Sequence, residues 1–411
     1  MITMQQLYGA QAPHHTTRLA QLKEEFAVRF GTGRAVRVFS APGRSEIGGN
    51  HTDHNHGKVL AAAVNLDILG VAATRDDMRI CAFSAGHKPN NLDITNVNLH
   101  ENEIGSSAAM IRGICAAFVQ RGYHIGGFDT VSHSDVLSGS GLSSSAAFEV
   151  YIATILNYLY NDGKIDPVEI AQIGQWAENV YVGKPCGLLD QATSAVAGFV
   201  AMDFADPKAP VVNKVEFDFA TTGHALCVVN TGGSHAGLTD EYAAVRGEMQ
   251  AAARVLGVEF LRDTTQENLM ANIATVREQC GDRAVLRALH FYAENDRVDA
   301  QKLALENNDF AAFLQLIKAS GRSSYMYNQN VFTIVHPPSE QPVSVGLALS
   351  ETVLGKRGAW RVHGGGFAGT IQAFVPVDML DDYRTAMEAV FGESSCYVLQ
   401  VRPHGGVELS E

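Results

Sequence analysis

The chain has 411 residues, 46% hydrophobic and 18% charged, an ordinary globular mix that excludes disorder, collagen and coiled coil and allows two or three domains. Its 31 basic and 44 acidic side chains give a formal charge of −13, which argues against a nucleic-acid or anionic-membrane partner. The six cysteines are scattered without a CxxC pair, MITMQQLYGAQAPHH reads as no leader, and the most apolar stretch, 59–73, is broken by Asn65 and Asp67. The expectation is a cytoplasmic protein with reduced thiols.

Leu19, Leu22, Phe26 and Phe30 share a helical face, so 16–30 reads as a helix. Strands are expected near 36–40, 57–63, 68–75 and 79–83, a helix over 104–121 and a strand over 128–136. After a Gly/Ser loop, Phe148, Ile152, Ile155 and Leu159 predict a helix over 143–160. The next helix has a marked start: Asp166 can cap it, Pro167 takes the first helical position and Glu169 completes a capping box. Strands near 199–203 and 225–230 precede helices near 239–256, 283–305 and 308–319, and the remaining chain alternates strand and helix. The class is α+β, with a boundary expected near 210 between domains 1–210 and 211–411.

Three segments carry chemistry. In GSGLSSSAA (139–147), Gly139 and Gly141 let backbone amides approach an anion, while Ser143, Ser144 and Ser145 open a helix whose free N–H groups favour phosphate. A serine-capped helix after a flexible turn is the plainer alternative; neither a Walker A loop nor a GxGxxG fingerprint is present. APGRSEIGGNHTDHNHG (41–57) packs Arg44, Glu46, Asn50, His51, Asp53, His54 and His56 between glycines. It reads as a metal site of three histidines and a carboxylate, a polar pocket for a polyol or sugar, or a solvated loop. In AENVYVGKPCGLLDQ (177–191), Glu178 lies late in a helix and Asp190 in the first turn of the next. Asp190 is either a helix-start carboxylate or a general base, and Glu178 taken alone is a solvated helical residue.

Taken together, these segments resemble the GHMP kinases and, among them, the galactokinase family. APGR with IGGNHTDHN resembles that family's N-terminal signature, GSGLSSSAA its phosphate loop and VHGGGFAGT (362–370) its C-terminal glycine motif. AEN, CG-x-x-DQ, TDEY (239–242) and RALHFYAENDRV (287–298) follow in the same order, so the resemblance covers about Val38 to Val375.

The resemblance implies a two-domain α+β GHMP kinase fold, with a ribosomal protein S5-like N-terminal domain and a ferredoxin-like C-terminal domain. It implies transfer of the ATP γ-phosphoryl to the anomeric hydroxyl of a sugar. Asp190 would accept the proton or hold the developing alkoxide, and Arg44 would offset charge on the moving phosphoryl. Asn50, His51, Thr52, Asp53, Gly187 and Tyr242 fall at sugar positions. Gly139, Ser140, Gly141, Leu142, Ser143, Ser144 and Ser145, with Ser84, fall at nucleotide positions. Ser145 and Glu178 would hold Mg²⁺. Three residues depart from the family pattern: Asn50 stands for a usual glutamate that meets the sugar's 6-hydroxyl, His363 for a threonine and Ala368 for a glycine. An amide tolerates a C6 carboxylate better than glutamate does, so galacturonate and arabinose stand behind galactose as expected substrates. A silent sugar- and ATP-binding sensor is the alternative class, and a monomer is the expected state.

Overall fold

Residues 1–44, 63–198 and 402–411 form one unit of the structure, and residues 45–62 and 199–401 form a second. The computed structural model describes residues 1–136, 141–233 and 237–410. The sequence suggests one boundary near 210; the chain instead changes unit after Arg44, Ala62, Gly198 and Val401. Two of these crossings fall inside long strands, Arg37–Gly48 and Lys58–Thr74, each of which begins in one unit and ends in the other.

The sheet of the first unit runs in the order Ile2–Thr3, Val407–Ser410, Arg37–Gly48, Lys58–Thr74, Phe128–Ser134, Arg79–Ser84, Asn90–Asp93. Phe128–Ser134 is antiparallel to residues 68–74 and parallel to Arg79–Ser84. Strand alternation puts Leu69, Val71 and Ala73 on one face, where Leu19, Leu22 and Phe26 of the helix Ala12–Phe30 cover them. On the other face lies Ser144–Tyr160, a helix buried nearly all round. Its Tyr151 sits directly over Gly70, where a Cβ would come within 2.0 Å of the hydroxyl, and that hydroxyl bonds Thr130 Oγ1 at 2.7 Å. The helices Ser107–Gln120, Pro167–Ala177 and Leu189–Val196 pack around it.

The two strands expected at 57–63 and 68–75 are one continuous strand, Lys58–Thr74. Asp67 does not interrupt it, because Arg18 (2.7 Å) and Arg402 (2.9 Å) compensate its buried charge. Burial alone would raise this carboxyl; the two guanidiniums and bonds from Ser40 and Tyr8 override it and hold the group at about 2. At the helix Pro167–Ala177, Asp166 caps Val168 N at 2.8 Å as expected. Glu169 closes no capping box and instead accepts the Tyr123 hydroxyl at 2.5 Å.

The second unit holds a four-stranded antiparallel sheet in the order Ala359–Val362, Thr370–Pro376, His224–Asn230, Cys396–Leu399. Val343 and Leu354 of the helix Pro342–Leu354 and Tyr383 and Met387 of Leu380–Phe391 join its apolar core. A second core lies among the helices Thr239–Val255, Gln266–Ala271, Ile273–Cys280 and Asp282–Glu306. Asp282–Glu306 also carries buried polar residues, Arg287, His290, Glu294, Asn295 and Gln301, at helical spacing. Three of them serve the segment 45–58 of the same unit: His290 Nε2 meets Asn50 O at 2.8 Å, Glu294 accepts Gly49 N at 3.2 Å and Asn295 accepts Lys58 N at 2.7 Å, while Arg287 donates to Asn328 O at 3.1 Å and to Glu248 Oε2 at 2.8 Å. The motif RALHFYAENDRV is thus a polar stripe that satisfies the backbone of the signature loop.

Candidate functional site

In the first unit, Arg44 lies on the strand Arg37–Gly48 and Asp190 in the first turn of Leu189–Val196, where free amides favour a carboxylate. Arg44 Nε donates to Asp190 Oδ1 at 2.7 Å, and an Arg44 Nη1 bond to Gly141 O fixes the guanidinium from the other side. Leu142 O accepts Arg44 N at 3.0 Å, so backbone and side chain of Arg44 are both tied to the turn that precedes the helix Ser144–Tyr160. Ser143 adopts φ +56°, a left-handed conformation that costs a non-glycine residue about 1 kcal/mol or more. In this turn its hydroxyl donates to Asp190 Oδ2. Asp190 therefore has a fixed orientation yet keeps 34% of its side chain exposed. Gly139 and Ser140 lie outside the described residues.

Beside this group is a cavity of about 440 Å³. Ser84, Asn90, Ser107, Ser144 and Ser145 bring polar atoms to its wall, and Phe148 and Tyr151 bring apolar surface. A nucleotide needs that mixture, with the N-terminus of a 17-residue helix at one end for its phosphates.

Glu178 opens a π-helical turn, Glu178–Val182, that continues Pro167–Ala177 and buries the carboxylate. Such turns recur at functional sites. Lys184 Nζ bonds its Oε1 at 2.9 Å and Gln191 Nε2 its Oε2 at 3.0 Å. The same Gln191 nitrogen donates to Glu149 Oε2 at 2.9 Å, while the buried Glu149 Oε1 has no partner among the described residues. Burial, and then the charge of Glu178, pushes the Glu149 carboxyl up to about 8. Glu149 is therefore mostly neutral at pH 7, which leaves the Glu178 carboxylate and the exposed Ser145 hydroxyl as hard oxygen donors of the kind a Mg²⁺ ion takes. The residues fit that ion. Gly187 is exposed in the turn before Asp190.

In the second unit the signature segment turns inward. Asn50 is 1% exposed and its amide is saturated. Nδ2 donates to Glu46 Oε1 at 3.0 Å and Gly364 O at 2.8 Å; Oδ1 accepts Ser324 Oγ at 3.1 Å and Asn330 Nδ2 at 2.8 Å. Thr52 spends its hydroxyl on Gly49 O and Lys58 O, at 2.8 and 2.6 Å. His51 Nε2 meets Gly365 O at 2.8 Å and Tyr242 donates to Gly366 O at 2.9 Å. Three successive carbonyls of the glycine motif are thus gripped by residues expected at sugar positions. At Gly366 a Cβ would fall 1.9 Å from Asn330 O, so only glycine fits. Asp53 is exposed. His363 is buried, with its ring nitrogens on Ser45 Oγ (3.1 Å) and Thr370 Oγ1 (2.9 Å).

The three histidines of HTDHNH do not converge on a metal. His56 stacks on Phe260 at 3.7 Å and His54 Nδ1 meets Asn55 Nδ2 at 2.9 Å. Among the described residues the one group with metal-ligand spacing is His15, Asp67 and Asp135, and Asp67 is already held by Arg18 and Arg402.

Sequence reasoning left four participants without a role. Glu46 could have been found from its spacing, since residues two apart on a strand share a face and Arg44 precedes it by two. Glu149 is an acidic residue on an otherwise apolar helix, a signal in itself. Lys184 and Asn330 carried none.

Residues 108–198 match the N-terminal domain of the GHMP kinases and residues 24–74 the galactokinase galactose-binding signature. The chain is 33% identical over 368 residues to a galactokinase of Actinobacillus pleuropneumoniae, spanning 88% of this chain and 90% of that one. A galactokinase of Streptomyces coelicolor is 33% identical over 86% of this chain and 88% of its own length. Among solved structures, Lactococcus lactis galactokinase complexed with galactose has a TM-score of 0.78 at 25% identity, covering 95% of this chain and 99% of that one. Methanococcus jannaschii mevalonate kinase, 14% identical with a TM-score of 0.63, shares the fold.

Proposed function

This chain belongs to the galactokinase family, and on that premise we propose that it transfers the γ-phosphoryl of ATP to the anomeric hydroxyl of D-galactose, giving galactose 1-phosphate and ADP. The observation that carries the reading is the triple contact of Arg44, Ser143 and Asp190 at the mouth of the phosphate loop.

Phosphoryl transfer through a loose transition state asks mainly for positioning and charge stabilisation. Asp190, oriented through both oxygens, would take the hydrogen bond of the incoming hydroxyl, align its lone pair with the γ-phosphorus and receive the proton as the new P–O bond forms. Arg44, anchored by Gly141 O and Asp190, would meet the negative charge on the equatorial phosphoryl oxygens. Amides at the start of Ser144–Tyr160 would cradle the phosphates and the polar cavity wall would take the base and ribose. Ser145 and Glu178 would hold Mg²⁺, which neutralises phosphate charge when bound. In the second unit His51, Thr52, Asp53 and Tyr242 are proposed to serve sugar binding, largely by fixing the backbone of the signature and glycine motifs; in the first, Gly187 is proposed to serve it from the turn before Asp190. The intact set of Arg44, Ser143, Glu178 and Asp190 favours an enzyme over a silent sensor.

The test is sugar-dependent ADP release with ATP and Mg²⁺ across hexoses, pentoses and uronic acids, with ³¹P NMR to locate the new ester. Galactose 1-phosphate as the fastest-formed product supports the reading. Release with another sugar only, or with none, overturns it. No described helix is long and apolar enough to cross a membrane.

A further inference from the structure

In the second unit the polar side chains of the signature are almost all consumed internally. Asn50 has four protein partners, Thr52 donates into two carbonyls, and His290, Glu294 and Arg361 are buried and engaged. Glu46 differs. Its Oε1 accepts Asn50 Nδ2 at 3.0 Å and Arg361 Nη2 at 2.9 Å, donors that are 1% and 0% exposed. Arg361 is itself fixed by a bond to Ile47 O, and the Glu46 backbone carbonyl by Gln372 Nε2 at 2.9 Å. Among the described residues Glu46 Oε2 has no hydrogen-bond partner, and 16% of the side chain remains open to solvent. The result is a charged acceptor, mostly stripped of water, locked in orientation through one oxygen and with the other free.

Such a group is preorganised for a hydroxyl donor, and it opposes a ligand carboxylate by like charge. A saturated amide can do neither. We propose that Glu46 is the specificity-determining carboxylate of the sugar site, accepting a hydrogen bond from a hydroxyl away from the reacting carbon, with Asn50 and Arg361 as the positioning residues that aim it. This inference rests on the sugar-kinase reading above and deepens it. It gives the substrate class as neutral sugars bearing that hydroxyl, and moves discrimination from position 50 to position 46.

The experiment measures kcat and KM of the parent, Glu46→Gln and Glu46→Asp on galactose, its 2-, 3-, 4- and 6-deoxy analogues, and galacturonate. Glu46→Gln is isosteric and keeps an acceptor for Arg361; Glu46→Asp keeps the charge but withdraws it by one methylene, which guards against a failure of either variant to fold. For galactose, kcat/KM should fall roughly 10- to 100-fold, chiefly through KM, because a bond to a charged group is lost. For one deoxy analogue the loss should shrink to about threefold or less, because the hydroxyl that Glu46 reads is already missing. Galacturonate, rejected by the parent, should gain relative to galactose in Glu46→Gln. A loss of equal factor on every sugar, or one confined to thermal stability, would reduce Glu46 to a structural role and overturn the inference while leaving the kinase reading standing. A parent inactive on every sugar overturns both.

Discussion

The two units handle polar side chains in opposite ways. Around Asp190 the first unit leaves functional groups reachable: Asp190 is oriented but partly exposed, and Ser144 and Ser145 line a cavity. Around Asn50 the second unit folds its polar groups into one another and onto the carbonyls of Gly364, Gly365 and Gly366. The difference separates two meanings of a motif. On the function proposed, the matched residues in one place are themselves the tools; in the other most of them hold the tool, and the carboxylate proposed to read the sugar belongs to a neighbour.

The sharpest way to break that contrast is at its reactive end. Asp190→Asn keeps the size of the side chain and an acceptor for Arg44, so fold and ATP binding should survive. It removes the proposed proton acceptor and a charge, so kcat should fall about 10³-fold or more. The check is single-turnover phosphoryl transfer alongside ATP titration by calorimetry. A variant within tenfold of the parent removes Asp190 from the chemistry.

At the inward-facing end the expected loss is in stability. Asn50→Glu places a second carboxylate 3 Å from Glu46 Oε1, deletes the donors to Glu46 and Gly364, and leaves two carboxylates sharing Arg361. An uncompensated buried charge should cost about 3–5 kcal/mol, read as a lower urea midpoint at unchanged m-value. The family's own residue at this position would thus harm this chain, although by residue type alone it should restore recognition of a 6-hydroxyl. A cost below about 1 kcal/mol would show that position 50 opens toward solvent after all.

Acid should reach the two units at different pH. In the second, burial pushes the His290 imidazole down to about 4 against the pull of Glu294, so the native ring is neutral while its Nε2 faces Asn50 O and its Nδ1 Ser323 Oγ. An unfolded histidine protonates below ~6.5. The stability from this group is therefore full above ~6.5 and is lost as pH falls toward 4, by about 3 kcal/mol in all. In the first unit Asp67, held at about 2, keeps its contribution until pH drops below its unfolded value of ~3.9. Hydrogen exchange at pH 7, 5.5 and 4.5 should show the helix Asp282–Glu306 opening before residues 63–74 of the strand Lys58–Thr74, the part that lies in the first unit, and His290→Gln should flatten the slope between pH 6.5 and 4.5. A slope that His290→Gln does not change would assign the acid sensitivity to another group.

Much of the fold was legible, because periodic apolar faces mark the helices Ala12–Phe30 and Ser144–Tyr160 and β-rich runs mark most strands. The division of the chain was not. A strand reads the same whether it ends in the unit where it began or in the next, so nothing local in Arg37–Gly48 or Lys58–Thr74 announces the crossing. The continuity of Lys58–Thr74 was hidden because Asp67 is tolerable only with Arg18 and Arg402, 49 and 335 residues away in sequence. At the site, backbone-built features were plain, since glycines and a serine run carry their geometry in the sequence. The saturation of Asn50 depends on Ser324 and Asn330, 274 and 280 residues on, and no short pattern encodes it.

The smallest expected effect tests how open the first unit's carboxylates are. Lys184 Nζ bonds Glu178 Oε1 at 2.9 Å from a side chain that is mostly in solvent, and this bond to Glu178 holds the ammonium pKa above its ordinary value. An exposed pair of this kind contributes ~1 kcal/mol or less, since water screens the charge and the long side chain resists fixing. The ammonium nevertheless occupies an oxygen that a divalent cation would take, so the two compete. Lys184→Met keeps the stem's length and bulk and removes the competitor. Half-saturation by Mg²⁺ should then move to concentrations about two- to fivefold lower, with kcat at saturating metal unchanged within twofold. Titrating Mn²⁺ binding by electron paramagnetic resonance without nucleotide separates the metal from turnover. If half-saturation rises instead, Lys184 serves the bound phosphates and does not compete for Glu178, and Glu178, buried as it is, belongs in kind with the inward-turned residues of the second unit.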